Sequence, residues 1–331
     1  MKTWPMATAA VLAAVLAGTA VGAQPAPVRV GVILKPLDNP FFVAMYQGVR
    51  AEAGRRDVRV TVRAGTSNAA LADQAAQARA LVAQGNDCYV ANPITPTNLI
   101  GGLRGAKGPV VNVDSPVDPA AAKRAGVRIG TLIRTDDVAA GRAAGAHMAS
   151  LVRGGDVALL NGFADSVNSA DRLRGFERGI RGSRLRVVAR VIADYDRTKA
   201  QIAAARILRA DPRLKGFFAA NDEMALGVAD AVGAAGRMGA VKIIGVDGIA
   251  DALDAIRAGT LSATVSQYPY VMGQMAVEAC VAAALGRRLP ARVAAPIALL
   301  TRANVGRAIA AFPKPLQPYS DPFGPLIRGR G

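Results

Sequence analysis

The chain has 331 residues, 51% of them hydrophobic, with a formal net charge of +17. That length supports two domains with substantial cores and excludes a small disulfide scaffold, as do only two cysteines, Cys88 and Cys280. The charge invites a nucleic-acid reading, but the basic residues are scattered and the densest group, Arg181 to Arg190, carries no stacking aromatics, so no nucleic-acid partner is expected.

Residues 1–23 read as a cleavable signal peptide. Lys2 gives a positive start, Met6 to Ala20 is a run of apolar and small residues, and Val21-Gly22-Ala23 supplies a small-residue cleavage site. No cysteine follows it for a lipid anchor, and no later segment is long and apolar enough to span a bilayer. A periplasmic or other extracytoplasmic location follows.

From Val28 strand and helix alternate. Arg29 to Leu34 is an apolar run that reads as a buried strand, and Asn39-Pro40 caps a helix over Phe41 to Arg55. Strand Val58 to Ala64, helix Leu71 to Gln84, strand Cys88 to Ala91, short helix Asn98 to Gly105 and strand Val110 to Val113 follow, then a strand over Val127 to Leu132. A second series runs from helix Val138 to Val152 through strand Asp156 to Leu160, helix Asp171 to Ile180, strand Leu185 to Ile192, helix Thr198 to Ala210 and strand Gly216 to Ala219. It closes with helix Glu223 to Ala235, strand Val241 to Val246, helix Ala250 to Ala258, strand Ser262 to Ser266 and a long helix over Val271 to Leu285. Short connections of this kind imply an α/β chain with two doubly wound parallel sheets. The proline-rich residues 311–331 read as an extended tail.

The cysteines fall in an apolar strand and a helix. Two buried thiols are the expectation, with a single bridge as the alternative for an exported protein.

Polar residues recur just after the strands: Lys35 and Asn39, Asn92, Asp114, Asn221, Asp247 and Gln267. Carboxyl ends of parallel strands are where open α/β sheets bind ligands. Side chains with several donors or acceptors suit a polyhydroxylated ligand, and Phe41, Phe42 and Tyr195 can cover the apolar faces of a sugar ring. Each asparagine or aspartate also has a structural reading as a helix cap.

Six segments, Leu37-Asp38-Asn39-Pro40-Phe41-Phe42, Ala170-Asp171-Arg172-Leu173-Arg174-Gly175-Phe176, Ala193-Asp194-Tyr195-Asp196-Arg197, Phe218 to Gly227, Ile244-Gly245-Val246-Asp247-Gly248 and Ala263 to Pro269, carry a resemblance over about Val28 to Asn304. The chain resembles the periplasmic sugar-binding proteins of the ribose and allose type, the receptors of ABC importers. The resemblance implies a type I periplasmic-binding-protein fold with three crossings between lobes, near Thr135, Gln267 and Pro296. The amino-terminal lobe would be residues 28–134 plus 268–295, and the other 135–267 plus 296–310.

It also implies sugar contacts from Lys35, Asn39, Phe42 and Asp114 on one lobe, Arg172, Tyr195, Asn221 and Asp247 on the other, and Gln267 at the hinge, with Asn92 a weaker addition. Ribose binders usually carry a small residue in place of Lys35 and an arginine in place of Ser115; allose binders share the lysine but carry tryptophan at Phe42 and Tyr195. A hexose, a ketose or a related polyol fits these departures as well as allose does. The expected partners are a monosaccharide and an ABC permease in the cytoplasmic membrane, with no cofactor, and the protein is expected to be a monomer.

Presentation of the loaded protein to a chemoreceptor or histidine kinase would use the same pocket. An enzyme is disfavoured: Asp136-Asp137 reads as a helix cap, and the single histidine, His147, has no companions for a metal or a triad. A sugar-responsive transcription regulator would need a helix-turn-helix where this chain has its apolar leader.

Overall fold

The computed structural model describes Met1 and residues 26–328; Met1 apart, the signal peptide expected over residues 1–23 lies outside the described residues. Among the described residues no helix is long and apolar enough to cross a membrane. The first series of elements is β1 Arg29–Leu34, α1 Pro40–Arg56, β2 Arg59–Ala64, α2 Leu71–Ala83, β3 Cys88–Ala91, α3 Ile100–Leu103, β4 Val110–Val113, α4 Pro119–Arg124 and β5 Ile129–Arg134. The second is α5 Asp137–Leu151, β6 Gly155–Asn161, α6 Val167–Gly179, β7 Leu185–Ile192, α7 Arg197–Ala210, β8 Gly216–Ala219, α8 Asp222–Ala234, β9 Lys242–Asp247, α9 Ala250–Ala258 and β10 Ala263–Ser266. The chain ends with α10 Pro269–Ala284, β11 Arg292–Ala294, β12 Ala298–Thr301, α11 Val305–Ala311 and α12 Gly324–Ile327.

The strands form two six-stranded sheets, ordered β11-β5-β4-β3-β1-β2 and β12-β10-β9-β8-β6-β7. All the pairings are parallel except that of β12 with β10. This is the doubly wound α/β architecture that the alternation predicts. Central strands such as β3, β4 and β8 are buried along their whole length, as helices on both faces require. At the edge, β7 alternates buried or half-buried with exposed residues because one face meets solvent.

Sheet membership and chain order part company at three places. The chain passes between the sheets from β5 to α5, from β10 to α10 and from β11 to β12. Although α10 follows β10 of the second sheet, it packs on α1 and over β3, β4 and β5 of the first. The α1–α10 contact needs a glycine: a Cβ on Gly48 would lie 1.9 Å from the Tyr270 carbonyl oxygen. The second half repeats the device between α5 and α6, where a Cβ on Gly141 would lie 2.0 Å from the Arg172 carbonyl oxygen.

Three expectations change. The cysteines are bridged, Cys88 to Cys280 with Cα atoms 5.5 Å apart, so that the fully buried pair staples β3 to α10. Two thiols 192 positions apart look independent in the chain, and only the return of α10 onto the first sheet brings them together. The helix expected from Asp171 starts at Val167, because Ser166 accepts the Ser169 N–H and caps it earlier. The tail packs instead of running free: Phe323 is fully buried, and Asp321 accepts from the Phe323 and Gly324 N–H groups to start α12 against α10.

Candidate functional site

Parallel strands all present their carboxyl ends at one edge of a sheet, and residues from these edges of both sheets line a single cavity of about 510 Å³. Lys35 and Asn39 follow β1, Phe41 and Phe42 open α1, and Asp114 and Ser115 follow β4; together they make the first wall. Arg172 on α6, Tyr195 after β7, Asn221 after β8, Asp247 at the end of β9 and Gln267 after β10 make the second.

Asn92 does not line this cavity. Its N–H still bonds to the Ile33 carbonyl at 2.9 Å, so it continues the alternation of β3 and its side chain turns into the core, 3.9 Å from Met45 Sδ. Asn68, Ile94, Phe163 and Asn168 also line the cavity, and the sequence reading missed them. Asn168 had a usable signal: it stands four residues before Arg172, on the same helical face. Phe163, Ile94 and Asn68 follow β6, β3 and β2 by two, three and four residues, as the other site residues follow their strands.

Asn39 and Asn221 cap helices and also line the cavity. Asn39 Oδ1 accepts the Phe41 N–H at 2.9 Å, and Asn221 Oδ1 accepts the Met224 N–H at 3.0 Å. Each cap uses the oxygen and thereby fixes the amide orientation, leaving the NH₂ donors for the cavity.

On the first wall, Lys35 Nζ donates to Ser115 Oγ at 2.6 Å and Asp114 Oδ2 at 3.3 Å, and it lies 5.4 Å from the centre of the Phe42 ring. Ser115 Oγ donates to the same Asp114 oxygen at 3.1 Å. The other Asp114 oxygen, Oδ1, accepts from Asn168 Nδ2 at 3.1 Å and the Asp114 carbonyl accepts from the same nitrogen at 3.5 Å, so Asn168 links the two walls directly.

The second wall is rooted deeper. Arg172, only 4% exposed, donates from Nε to Asp137 Oδ1 at 2.7 Å, from Nη1 to the Ala220 carbonyl at 2.7 Å and from Nη2 to Gln267 Oε1 at 2.8 Å. Gln267 Nε2 in turn donates to Asp247 Oδ1 at 2.6 Å, and Arg172 lies 3.6 Å from the same oxygen. Asp137 also takes Arg134, while Asp136 is the helix cap, accepting the Ala139 N–H at 2.9 Å. The adjacent aspartates thus divide their work between capping and charge.

Burial raises the carboxyls of Asp137 and Asp247 despite the opposing charge of Arg172, Asp247 well above the ordinary range. Burial works against the charge on Arg172, but Asp137 and Asp247 overcome it and hold the guanidinium above its usual range. Burial also pushes the Tyr195 hydroxyl, which shares a 2.7 Å hydrogen bond with Ser166 Oγ, up to about 12.

Each wall carries one edge-to-face aromatic pair, Phe41–Phe42 at 5.2 Å between ring centres and Phe163–Tyr195 at 5.5 Å. The cavity therefore combines apolar ring surfaces with amide donors, two carboxylates and two cations of balancing charge. Among the described residues no group of three or more His, Cys, Asp or Glu is placed to hold a metal ion.

The family model of the periplasmic binding protein domain matches residues 30–288. The ribose import binding protein of Bacillus subtilis is 32% identical over 82% of this chain and 87% of its own length. The D-allose-binding periplasmic protein of Escherichia coli is 32% identical over 73% of this chain and 80% of its own. Among solved structures, an ABC transporter periplasmic solute-binding protein from Actinobacillus succinogenes with bound D-allose superposes with a TM-score of 0.80, at 24% identity, over 85% of this chain and 99% of that one, a likeness of fold.

Proposed function

The chain belongs to the periplasmic binding protein family, and we propose that it is the extracytoplasmic receptor of an ABC importer, taking one neutral monosaccharide between two lobes. The observation that carries this reading is the balanced cavity: Lys35 and Arg172 are matched by Asp114 and Asp247, with amide donors between them and an aromatic pair on each wall. A phosphorylated or strongly acidic ligand would find no excess positive charge there. A pyranose or furanose presents hydroxyls that both donate and accept, and C–H faces that pack on aromatic rings.

In this reading Asp114 and Asp247 accept from sugar hydroxyls, and Lys35, Asn39, Arg172 and Asn221 donate. Phe41, Phe42 and Tyr195 cover the ring, Ser115 sets the position of Lys35, and Gln267 aligns Asp247 from the hinge. The lobes comprise residues 28–134 plus 268–295 and 135–267 plus 296–310. Contacts from both lobes make the closed form bind better than the open one, and that difference in affinity drives closure. The loaded, monomeric protein then docks on a permease in the cytoplasmic membrane after export by its cleaved leader.

The test is isothermal titration calorimetry of the mature protein, unfolded and refolded to strip ligand, against allose, ribose, psicose, xylose, galactose, inositol and erythritol. Calorimetry suits a chain whose single tryptophan, Trp4, lies in the leader. Saturable one-to-one binding of one sugar, lost in Asp247→Ala and Arg172→Ala, is expected. Silence across the whole panel from folded protein would refute the monosaccharide reading.

A further inference from the structure

We infer that residues 312–328 form a fourth tether between the two halves, a strap across the hinge that favours the closed form and so sets ligand affinity and release. The inference rests on the receptor reading and concerns what controls its opening.

The strap starts in the second half. α11 packs on α9 and β12, and Phe312 N–H closes its last turn on the Ala308 carbonyl at 2.8 Å. Phe312, Pro313 and Lys314 then line a second cavity of about 410 Å³, bounded by Phe41 and Ala44 of the first half and by Asp247 and Ile249 of the second. Phe41 and Asp247 also line the sugar cavity, so the start of the strap lies directly behind the ligand groups.

From there it follows the hinge. The Leu316 N–H donates to the Tyr268 hydroxyl at 3.4 Å, and Tyr268 is the residue at which β10 gives way to α10, with φ +50. Pro315 and Pro318 face Pro296 and Ile297 of the third passage across a shared hollow. The strap ends on the first half, where Phe323 is fully buried and α12 lies on α10. Leu316, Tyr319 and Leu326 pack against the buried core that runs through both halves.

A segment fixed to opposite halves at its two ends cannot stay docked while the halves separate. The three passages of the main chain are short and absorb hinge rotation through a few backbone angles. The strap opposes that rotation with the burial of Phe323 and its neighbours, enough to bias a two-state equilibrium by roughly tenfold or more. Five prolines between residues 313 and 325 stiffen it, so it transmits strain between its anchors rather than stretching.

The test compares the full mature chain with a truncation ending at Phe312 and with Phe323→Ala, each checked for native circular dichroism. Small-angle scattering of the stripped, ligand-free proteins is the first readout. A larger radius of gyration is expected for the truncation and a smaller shift in the same direction for Phe323→Ala. Affinity for the sugar that binds in the panel is expected to fall roughly tenfold, mostly through faster release. Scattering and affinity unchanged in a folded Phe323→Ala or truncated protein, with only the melting temperature lowered, would overturn the tether and leave the tail as packing. Because the scattering uses no ligand, failure of the sugar panel leaves that comparison standing.

Discussion

The two walls of the cavity are built on different principles. The first half is stapled covalently away from its site, by Cys88–Cys280 between β3 and α10, and its site groups lean on one another at the strand tips, Lys35 on Ser115 and Asp114. The second half, which holds neither cysteine, roots its ligand groups in a buried charge network, Arg134–Asp137–Arg172, with Gln267 tying Arg172 to Asp247. Stability and binding are therefore separable on the first wall and fused on the second.

The largest expected effect breaks the root. Asp137→Ala leaves Arg134 and Arg172 buried without their carboxylate, which costs about 3–5 kcal/mol. Denaturant unfolding would show the loss, and calorimetry on the remaining folded protein would show sugar binding gone. Retained binding in a destabilised variant would separate the two roles that the structure joins. Next comes the staple: a double Cys88→Ser, Cys280→Ser variant should lose about 2–4 kcal/mol, as expected for removing a long-range bridge. Sugar affinity there should change by less than about twofold, because neither cysteine lines the cavity. An affinity loss as large as that of Asp137→Ala would erase the contrast between the walls.

A smaller effect is expected at Lys35→Met, which keeps the length of the side chain but removes its charge and donors. Affinity should fall about tenfold, or ~1.4 kcal/mol, with unfolding hardly changed. The last concerns pH. Asp222, buried beneath Asp247, accepts from the Gly248 and Ile249 N–H groups and from Thr264 Oγ1, yet burial pushes its carboxyl up from 3.8 to about 6. The folded protein thus holds a proton that the unfolded chain releases at lower pH. The contribution to stability is complete below about pH 4 and is lost as pH rises towards 6. Asp222→Asn should flatten the decline in unfolding free energy over that window, and an unchanged slope would assign it elsewhere.

The strand-end rule was enough to find most of the cavity, because in a parallel sheet the residue after a strand falls at the ligand-binding edge whatever the helices between do. It failed at Asn92, where backbone pairing with Ile33 carries the strand alternation one residue further and turns the side chain inward. It also missed Asn168, because the helix was expected to begin at Asp171 while Ser166 caps it a turn earlier. The reading of Asp136-Asp137 as a cap was half the answer, since only Asp136 caps and Asp137 is the anchor of Arg172.

By itself the sequence determined what is periodic or local: the alternation of strand and helix, the Asn39-Pro40 and Asn221 caps, and the polar residues that follow the strands. Strand period, helix period and capping chemistry act over a few residues, so they leave their mark in the chain. The tertiary structure alone decided that Cys88 meets Cys280 across 192 positions, that Arg172 is tied to Gln267 95 residues away, and that the proline-rich tail returns to bury Phe323. Those pairings depend on which helix returns to which sheet, and packing of that kind writes no repeating pattern between its partners.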